Sequence, residues 1–337
     1  MKNSKKLALG IESTAHTFGV GIVDFEGNIL SLVNDTFVPE EGGLHPVMVR
    51  EYHINNFKNT ILKALSKAKC SINDIDLMVF SQSPGLGPVL KIGALVARTI
   101  NQTLNIPVVG VNHCIAHIEI GRLACAIDDP LTLYVSGGNT IVSAFESKRY
   151  QIFGETLDLP IGNMIDSFAR DAGLAHPGGP KIENLAKKGT KFISLPYVVK
   201  GMDLSFSGVY TATRRLLESK NFNVKYNLND IAYSLQETAF AMLTEVTERA
   251  LAHTGKEEVL LTGGVAANKR LQEMIKYISQ EHNARFEVVP LKYAGDNGAM
   301  IAWTGVLKYK ERGGDEIITT KIKPKQRMDN IEIPWRT

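Results

Sequence analysis

The chain has 337 residues, 44% of them hydrophobic and 22% charged. This suits about two domains with a sizeable core and excludes a disordered or collagen-like chain. A net charge of +3, from 38 basic and 35 acidic residues, is too mild to mark a nucleic-acid binder by itself.

The basic start, Met1 to Lys6, precedes an apolar stretch that Glu12 interrupts too early for a signal peptide. Leu7–Ile11 alternates and meets Glu12-Ser13-Thr14. Gly19–Val23 then runs to the turn signal Glu26-Gly27-Asn28, so the opening reads as strand, polar turn, strand, turn, strand. Pro46 to Lys69 carries Val49, Ile54, Phe57, Ile61, Leu62 and Leu65 at helical spacing. A buried strand over Asp76–Phe80 follows, then the loop Ser83-Pro84-Gly85-Leu86-Gly87-Pro88, a helix over Val89–Leu104 and a strand over Ile106–Val111.

The pattern then restarts. Leu131–Val135 alternates, meets Ser136-Gly137-Gly138-Asn139-Thr140, and is followed by Ile141–Phe145, so an internal duplication is expected. A helix over Asp230–His253 ends at Gly255. The strand Val259–Leu261, the turn Gly263-Gly264 and a helix bearing Leu271, Met274, Ile275 and Ile278 come next. Residues 315–337 read as an extended basic tail. The expected division is a first lobe over 1–120 and a second over 121–337, packed around a cleft. Three cysteines, Cys70, Cys114 and Cys125, form no framework spacing and suit a reducing compartment. With no run of about 18 uncharged apolar residues, the default is a cytoplasmic protein without a membrane span.

Three small-residue turns follow three apolar strands: Glu12-Ser13-Thr14, Ser136-Gly137-Gly138-Asn139 and Thr262-Gly263-Gly264. Glycines let backbone N–H groups approach an anion, and the third turn leads towards a helix N-terminus. Together they favour nucleotide binding, without the Gly-x-x-x-x-Gly-Lys-Ser/Thr loop. His113 and His117 are four residues apart, on one face of a helix, where two imidazoles can share a metal ion. A His-Glu-x-x-His protease needs its glutamate where Cys114 stands. Further ligand candidates are Asp296, whose bland alternative is a helix N-cap, and Tyr134. Asp166, and Glu183 after the Pro/Gly-dense run from His176, read either as a ribose-hydroxyl site or as ordinary helix acids.

These segments resemble one family over essentially the whole chain: the universal tRNA threonylcarbamoyladenosine transferases, in the archaeal and eukaryotic branch that forms the catalytic subunit of the KEOPS complex. The carrying motifs are Gly10-Ile11-Glu12-Ser13-Thr14-Ala15-His16, Ser83 to Pro88, Asn112-His113-Cys114-Ile115-Ala116-His117-Ile118-Glu119, and Tyr134 to Thr140. Gly162-Asn163 running to Asp166 and Ala169-Arg170, His176 to Lys181, Asp203 to Gly208, Thr262 to Asn268 and Asp296 to Met300 complete them. Ala294-Gly295 before Asp296 departs from the family's usual Cys or Ser with Thr or Asp.

The resemblance implies an α/β fold of the actin/Hsp70/sugar-kinase (ASKHA) type, two duplicated lobes around a nucleotide cleft. It implies transfer of threonylcarbamoyl from threonylcarbamoyl-AMP to N6 of the adenosine 3′ of the anticodon, in tRNAs reading codons that begin with A. It implies one metal ion, iron favoured and zinc the alternative, on His113, His117 and Asp296 with Tyr134 alongside. Threonylcarbamoyl-AMP or ATP with Mg²⁺ is then expected at Tyr134, Val135, Ser136, Gly137, Gly138, Asp166, Gly179, Glu183 and Asn268. No general base is evident. The implied partners are tRNA and the other KEOPS subunits: an atypical protein kinase, a small dimerising subunit and a regulatory subunit. The rival readings are a small-molecule kinase of the same fold, which lacks its usual Asp-x-Gly-x-Thr here, and a nucleotide-gated assembly module.

Overall fold

The alternation at the start of the chain becomes β1 (Leu7–Glu12), which hairpins onto β2 (Thr17–Asp24) and then β3 (Ile29–Thr36). This computed structural model describes residues 5–38, 45–220 and 222–336, and the basic residues Met1 to Ser4 lie outside them. Next come α1 (Pro46–Ala68), β4 (Leu77–Ser83), α2 (Gly87–Leu104), β5 (Val108–Asn112) and α3 (His113–Cys125). The sheet order is β3-β2-β1-β4-β5, with β1 antiparallel to β2 and parallel to β4. Leu9, Ile11, Phe18, Val20, Ile22, Met78 and Phe80 form its core. Pro46 begins α1 where its missing N–H costs nothing. The buried face of α1 runs through Val49, His53, Thr60, Ile61, Ala64 and Leu65. Ile54 and Leu62, expected in that stripe, turn outward and are exposed.

The second series is β6 (Leu131–Val135), β7 (Thr140–Glu146), β8 (Arg149–Glu155), α4 (Ile161–Asp171), α5 (Gly179–Ala186), the short pair β9 (Val199–Lys200) and β10 (Asp203–Leu204), α6 (Ser207–Leu217) and α7 (Leu228–Thr254). It continues with β11 (Glu258–Thr262), α8 (Lys269–Glu281), β12 (Arg285–Val288), α9 (Leu291–Ala294) and α10 (Gly298–Arg312). Its sheet order, β12-β11-β6-β7-β8, repeats that of the first sheet when read from the other edge. β6 is antiparallel to β7 and parallel to β11, as β1 is to β2 and β4. The expected duplication is therefore present strand for strand. Gly255 ends α7 at φ 63°, the left-handed conformation that glycine adopts without strain.

The chain divides into two compact units. One comprises Met1–Leu123, Glu146–Tyr150 and Asp296–Thr337; the other comprises Ala124–Phe145 and Gln151–Gly295. The expected second lobe, 121–337, is thus shortened: its last 42 residues return to the first unit. Glycine explains the return. A Cβ on Gly10 would lie 2.3 Å from the Ala302 nitrogen, and one on Gly21 would lie 2.2 Å from the Ala299 nitrogen. The backbone of α10 can rest on β1 and β2 only because those side chains are absent. Residues 315–336 carry short 3-10 turns rather than helix or strand, near the expected extended tail. No helix among the described residues is long and apolar enough to cross a membrane.

Candidate functional site

In the first unit the His pair opens α3, directly after β5. Asn112 caps that helix: its Oδ1 accepts hydrogen bonds from the amides of Cys114 at 2.9 Å and Ile115 at 3.2 Å. His113 and His117 then fall one above the other on one helical face, both buried. Their ring centroids are 4.7 Å apart, edge to face.

Asp296 precedes α10. The N-cap task expected as its bland alternative falls to its neighbour: Asn297 accepts the Met300 amide at 2.9 Å. The Asp296 side chain is thereby left to meet the imidazoles. Its Oδ1 lies 3.4 Å from His113 Nε2 and 3.3 Å from His117 Nε2. One ligand atom from each of the three residues lies within 4.8 Å of the others. Two imidazoles and one partly exposed carboxylate make a mixed N/O donor set that suits a transition metal or zinc and leaves positions open for other ligands. The residues present fit a metal ion.

Glu12, expected as the first residue of a nucleotide-binding turn, is instead the last residue of β1. It is fully buried. Its Oε2 accepts a 2.9 Å hydrogen bond from His113 Nδ1. Its Oε1 accepts from the Thr14 amide at 2.6 Å and the Thr14 hydroxyl at 2.5 Å. A carboxylate on the far nitrogen fixes the tautomer and ring plane of a ligating histidine. The signal available in the sequence was an acid at the end of a buried apolar strand, where an unpaired charge is costly.

The electrostatics follow from this packing. Burial works to lower the His113 pKa, but the Glu12 and Asp296 carboxylates outweigh it and raise it to about 9. Burial prevails at His117, whose pKa is lowered. Burial would raise Asp296, yet the two imidazoles hold it well below the usual carboxylate range. Cys114, between the histidines, is pushed up to about 12 by burial and the neighbouring acids, and so stays a thiol.

In the second unit, the turns after β6 and β11 lie side by side, because Tyr134 pairs with Thr262 in parallel register. This is the carboxyl end of parallel strands, where open α/β sheets bind ligands. The Ser136 hydroxyl accepts from the amides of Gly138 at 3.3 Å and Asn139 at 3.0 Å, which shapes the first turn. Gly137 and Gly138 are exposed, with open space where a Cβ would be. Gly263 differs: at φ +96°, its Cβ would meet the Val135 carbonyl oxygen at 2.1 Å. The third turn does not run straight into α8. A 3-10 turn, Gly264–Ala267, intervenes, and α8 begins at Lys269.

The remaining expected residues form a linked row in this unit. Asp166, on α4, accepts the Gly178 amide at 2.8 Å, beside Gly179, the first residue of α5. Glu183 lies in the second turn of α5 and accepts the Lys269 amide at 3.3 Å. Asn268 caps α8 through the Arg270 amide at 2.9 Å and donates to Gln236 at 2.9 Å. Tyr134 belongs to this unit, whereas His113, His117 and Asp296 belong to the other. It is buried at the end of β6, and its hydroxyl accepts from the Asn139 amide group at 3.4 Å.

A family model described as tRNA N6-adenosine threonylcarbamoyltransferase matches residues 28–303. The Thermococcus sibiricus protein of that name is 54% identical over 98% of this chain and 100% of its own length. The Archaeoglobus fulgidus protein of the same name is 50% identical over 98% and 99%. A Methanothermobacter thermautotrophicus protein named "Probable bifunctional tRNA threonylcarbamoyladenosine biosynthesis protein" is 54% identical, and the chain spans 61% of its length. Among solved structures, Thermococcus kodakarensis HypF aligns with a TM-score of 0.64 at 16% identity, over 91% of this chain and 48% of that one. The Clostridium difficile activator of 2-hydroxyisocaproyl-CoA dehydratase, with bound ADPNP, aligns with a TM-score of 0.54 at 12% identity, over 91% and 96%. At such identities the likeness concerns the fold alone.

Proposed function

The chain belongs to the tRNA N6-adenosine threonylcarbamoyltransferase family, and from that premise we propose how its residues divide the work. It is a transferase with the duplicated actin/Hsp70/sugar-kinase type of fold, and it places threonylcarbamoyl on N6 of an adenosine in tRNA. The donor is threonylcarbamoyl-AMP, and the acceptor is the adenosine 3′ of the anticodon in tRNAs reading codons that begin with A. An exocyclic adenine amine is a weak nucleophile, so the acyl group arrives as a mixed anhydride with AMP. The N6–carbonyl bond forms as N6 gives up one proton to water, the anhydride C–O bond breaks, and AMP leaves with that electron pair.

His113, His117 and Asp296 hold one metal ion, iron or zinc. When bound, it supplies Lewis-acid stabilisation of developing oxygen charge. The observation that carries this reading is the convergence of those three side chains, with Asn297 relieving Asp296 of capping and Glu12 fixing His113. In the second unit, the Gly137 and Gly138 amides donate to the donor's phosphate. Asp166 and Glu183 accept from its ribose hydroxyls, while Asn268 and Gly179 line the adenosine. Tyr134 serves the same donor through its place before the turn. The chain works in the cytoplasm with tRNA, an atypical protein kinase, a small dimerising subunit and a regulatory subunit. With 7% aromatics and no basic block, tRNA affinity leans on those partners.

The deciding experiment mixes this chain with such partners, tRNA and synthetic threonylcarbamoyl-AMP, then digests the tRNA and examines its nucleosides by mass spectrometry. Threonylcarbamoyladenosine should form, and His113→Ala should abolish both product and bound metal. A variant that keeps its full metal content would overturn the assignment of the ligands.

A further inference from the structure

Every residue of α3 from His113 to Gly121 is buried, about two and a half turns. A helix buried on all sides has no one-sided apolar stripe to set its rotation, and hydrophobic burial is itself non-directional. Polar partners must therefore fix which way the imidazoles face. One set is already described: Glu12 and Asp296 on the His face. The other set lies opposite. Glu119 is two residues beyond His117, about 200° further round the helix, and is fully buried. Its Oε1 accepts from the Tyr150 hydroxyl at 2.6 Å and from Trp335 Nε1–H at 2.9 Å. Its Oε2 accepts from Arg122 at 2.7 Å.

Trp335 lies in the segment that follows α10. Buried Ile333 anchors that segment, its amide donating to the Lys148 carbonyl at 2.8 Å. Arg336 donates to the Tyr150 hydroxyl at 3.2 Å. The same segment also reaches the start of α3. The Gln326 carbonyl accepts from Asn112 Nδ2 at 3.2 Å, and Asn112 is the cap of that helix. Residues 326–336 thus touch α3 at its cap and, two turns on, at the side opposite the histidines.

Resting on the metal reading above, we infer that Trp335 is a positioning residue for the His113, His117 and Asp296 site, acting through Glu119. The segment splints α3, and the charge-assisted bond to Glu119 sets the rotation at which both Nε2 atoms face Asp296. Residues so far from the ligands act by restricting the helix, so their loss lowers affinity for the metal rather than removing a ligand.

The test uses the full chain and Zn²⁺ alone, titrated against a chromophoric chelator, with thermal midpoints measured on the same samples. Trp335→Phe keeps the ring and removes the N–H. The expected result is a fall in zinc affinity of about tenfold with little change in the midpoint, and a lower kcat with an unchanged KM for tRNA in the reconstituted complex. Tyr150→Phe removes the other donor to the same oxygen, should act in the same direction, and carries the test if Trp335→Phe does not fold. His117→Ala is the control. If it loses zinc while both aromatic variants bind zinc as the parent does, the splint is refuted and the metal site stands. If His117→Ala binds zinc as the parent does, the metal reading itself fails.

Discussion

Glu12 and His113 lie 101 residues apart in sequence and are joined by a 2.9 Å hydrogen bond from the ring Nδ1 to Oε2. The bond leaves Nε2 as the nitrogen that faces Asp296, 3.4 Å away. A buried carboxylate at the end of β1 thus orients the ring of a histidine on α3 so that its Nε2 faces Asp296.

Glu12→Gln tests that orientation. The amide keeps one acceptor oxygen but offers an NH2 group where His113 needs an acceptor, or where Thr14 does. Outer-shell changes of this kind cost about 10–100-fold in metal affinity, and a loss in that range is expected in a zinc–chelator competition. Parent-like affinity would mean that Glu12 does not orient the ring.

Asp296 and Asn297 are adjacent and should separate cleanly. Asn297→Ala removes an N-cap and should cost about 1 kcal/mol of stability, read as a lower midpoint in chemical unfolding. Asp296→Asn should leave the helix cap intact and remove most bound metal, because its carboxylate is a candidate ligand and not the cap. The reverse pattern would exchange their roles.

The two kinds of glycine in the second unit should answer differently to alanine. Gly263→Ala places a Cβ against the Val135 carbonyl at a left-handed φ, and strain of this kind costs about 1–3 kcal/mol. Gly138→Ala meets nothing within 4 Å and should fold normally while weakening the binding of adenosine nucleotides. Calorimetry of AMP or ATP binding beside thermal melts distinguishes them, and Gly138→Ala binding at parent strength would remove that turn from the nucleotide site.

His53 should govern part of the acid sensitivity. It is buried on α1, edge-on to Phe18 with ring centroids 5.3 Å apart, and burial lowers its pKa to about 4. The unfolded chain takes up that proton near its ordinary value of about 6.5, so the contribution is complete above that pH and is lost as the pH falls towards 4. The full loss is about 3 kcal/mol by linkage. His53→Leu should therefore flatten the decline of the urea midpoint between pH 7 and pH 4.5, and a decline as steep as the parent's would assign the sensitivity elsewhere.

The sequence alone carried much of the fold. Period-2 runs at Leu7–Ile11 and Leu131–Val135 gave β1 and β6, and the helical stripe from Pro46 gave α1. These signals are local, since side-chain alternation and capping depend on near neighbours. The candidate ligand pair His113 and His117 was legible for the same reason, because their spacing is one helical turn. Only the tertiary structure decided the rest. It returned residues 296–337 to the first unit through the absent side chains of Gly10 and Gly21. It turned Ile54 and Leu62 out of the α1 stripe, gave the cap to Asn297 rather than Asp296, and brought Glu12 to His113 and Trp335 to Glu119. Those last contacts join residues 101 and 216 positions apart. No local propensity encodes a partner at that distance; it follows from how sheet and helices pack.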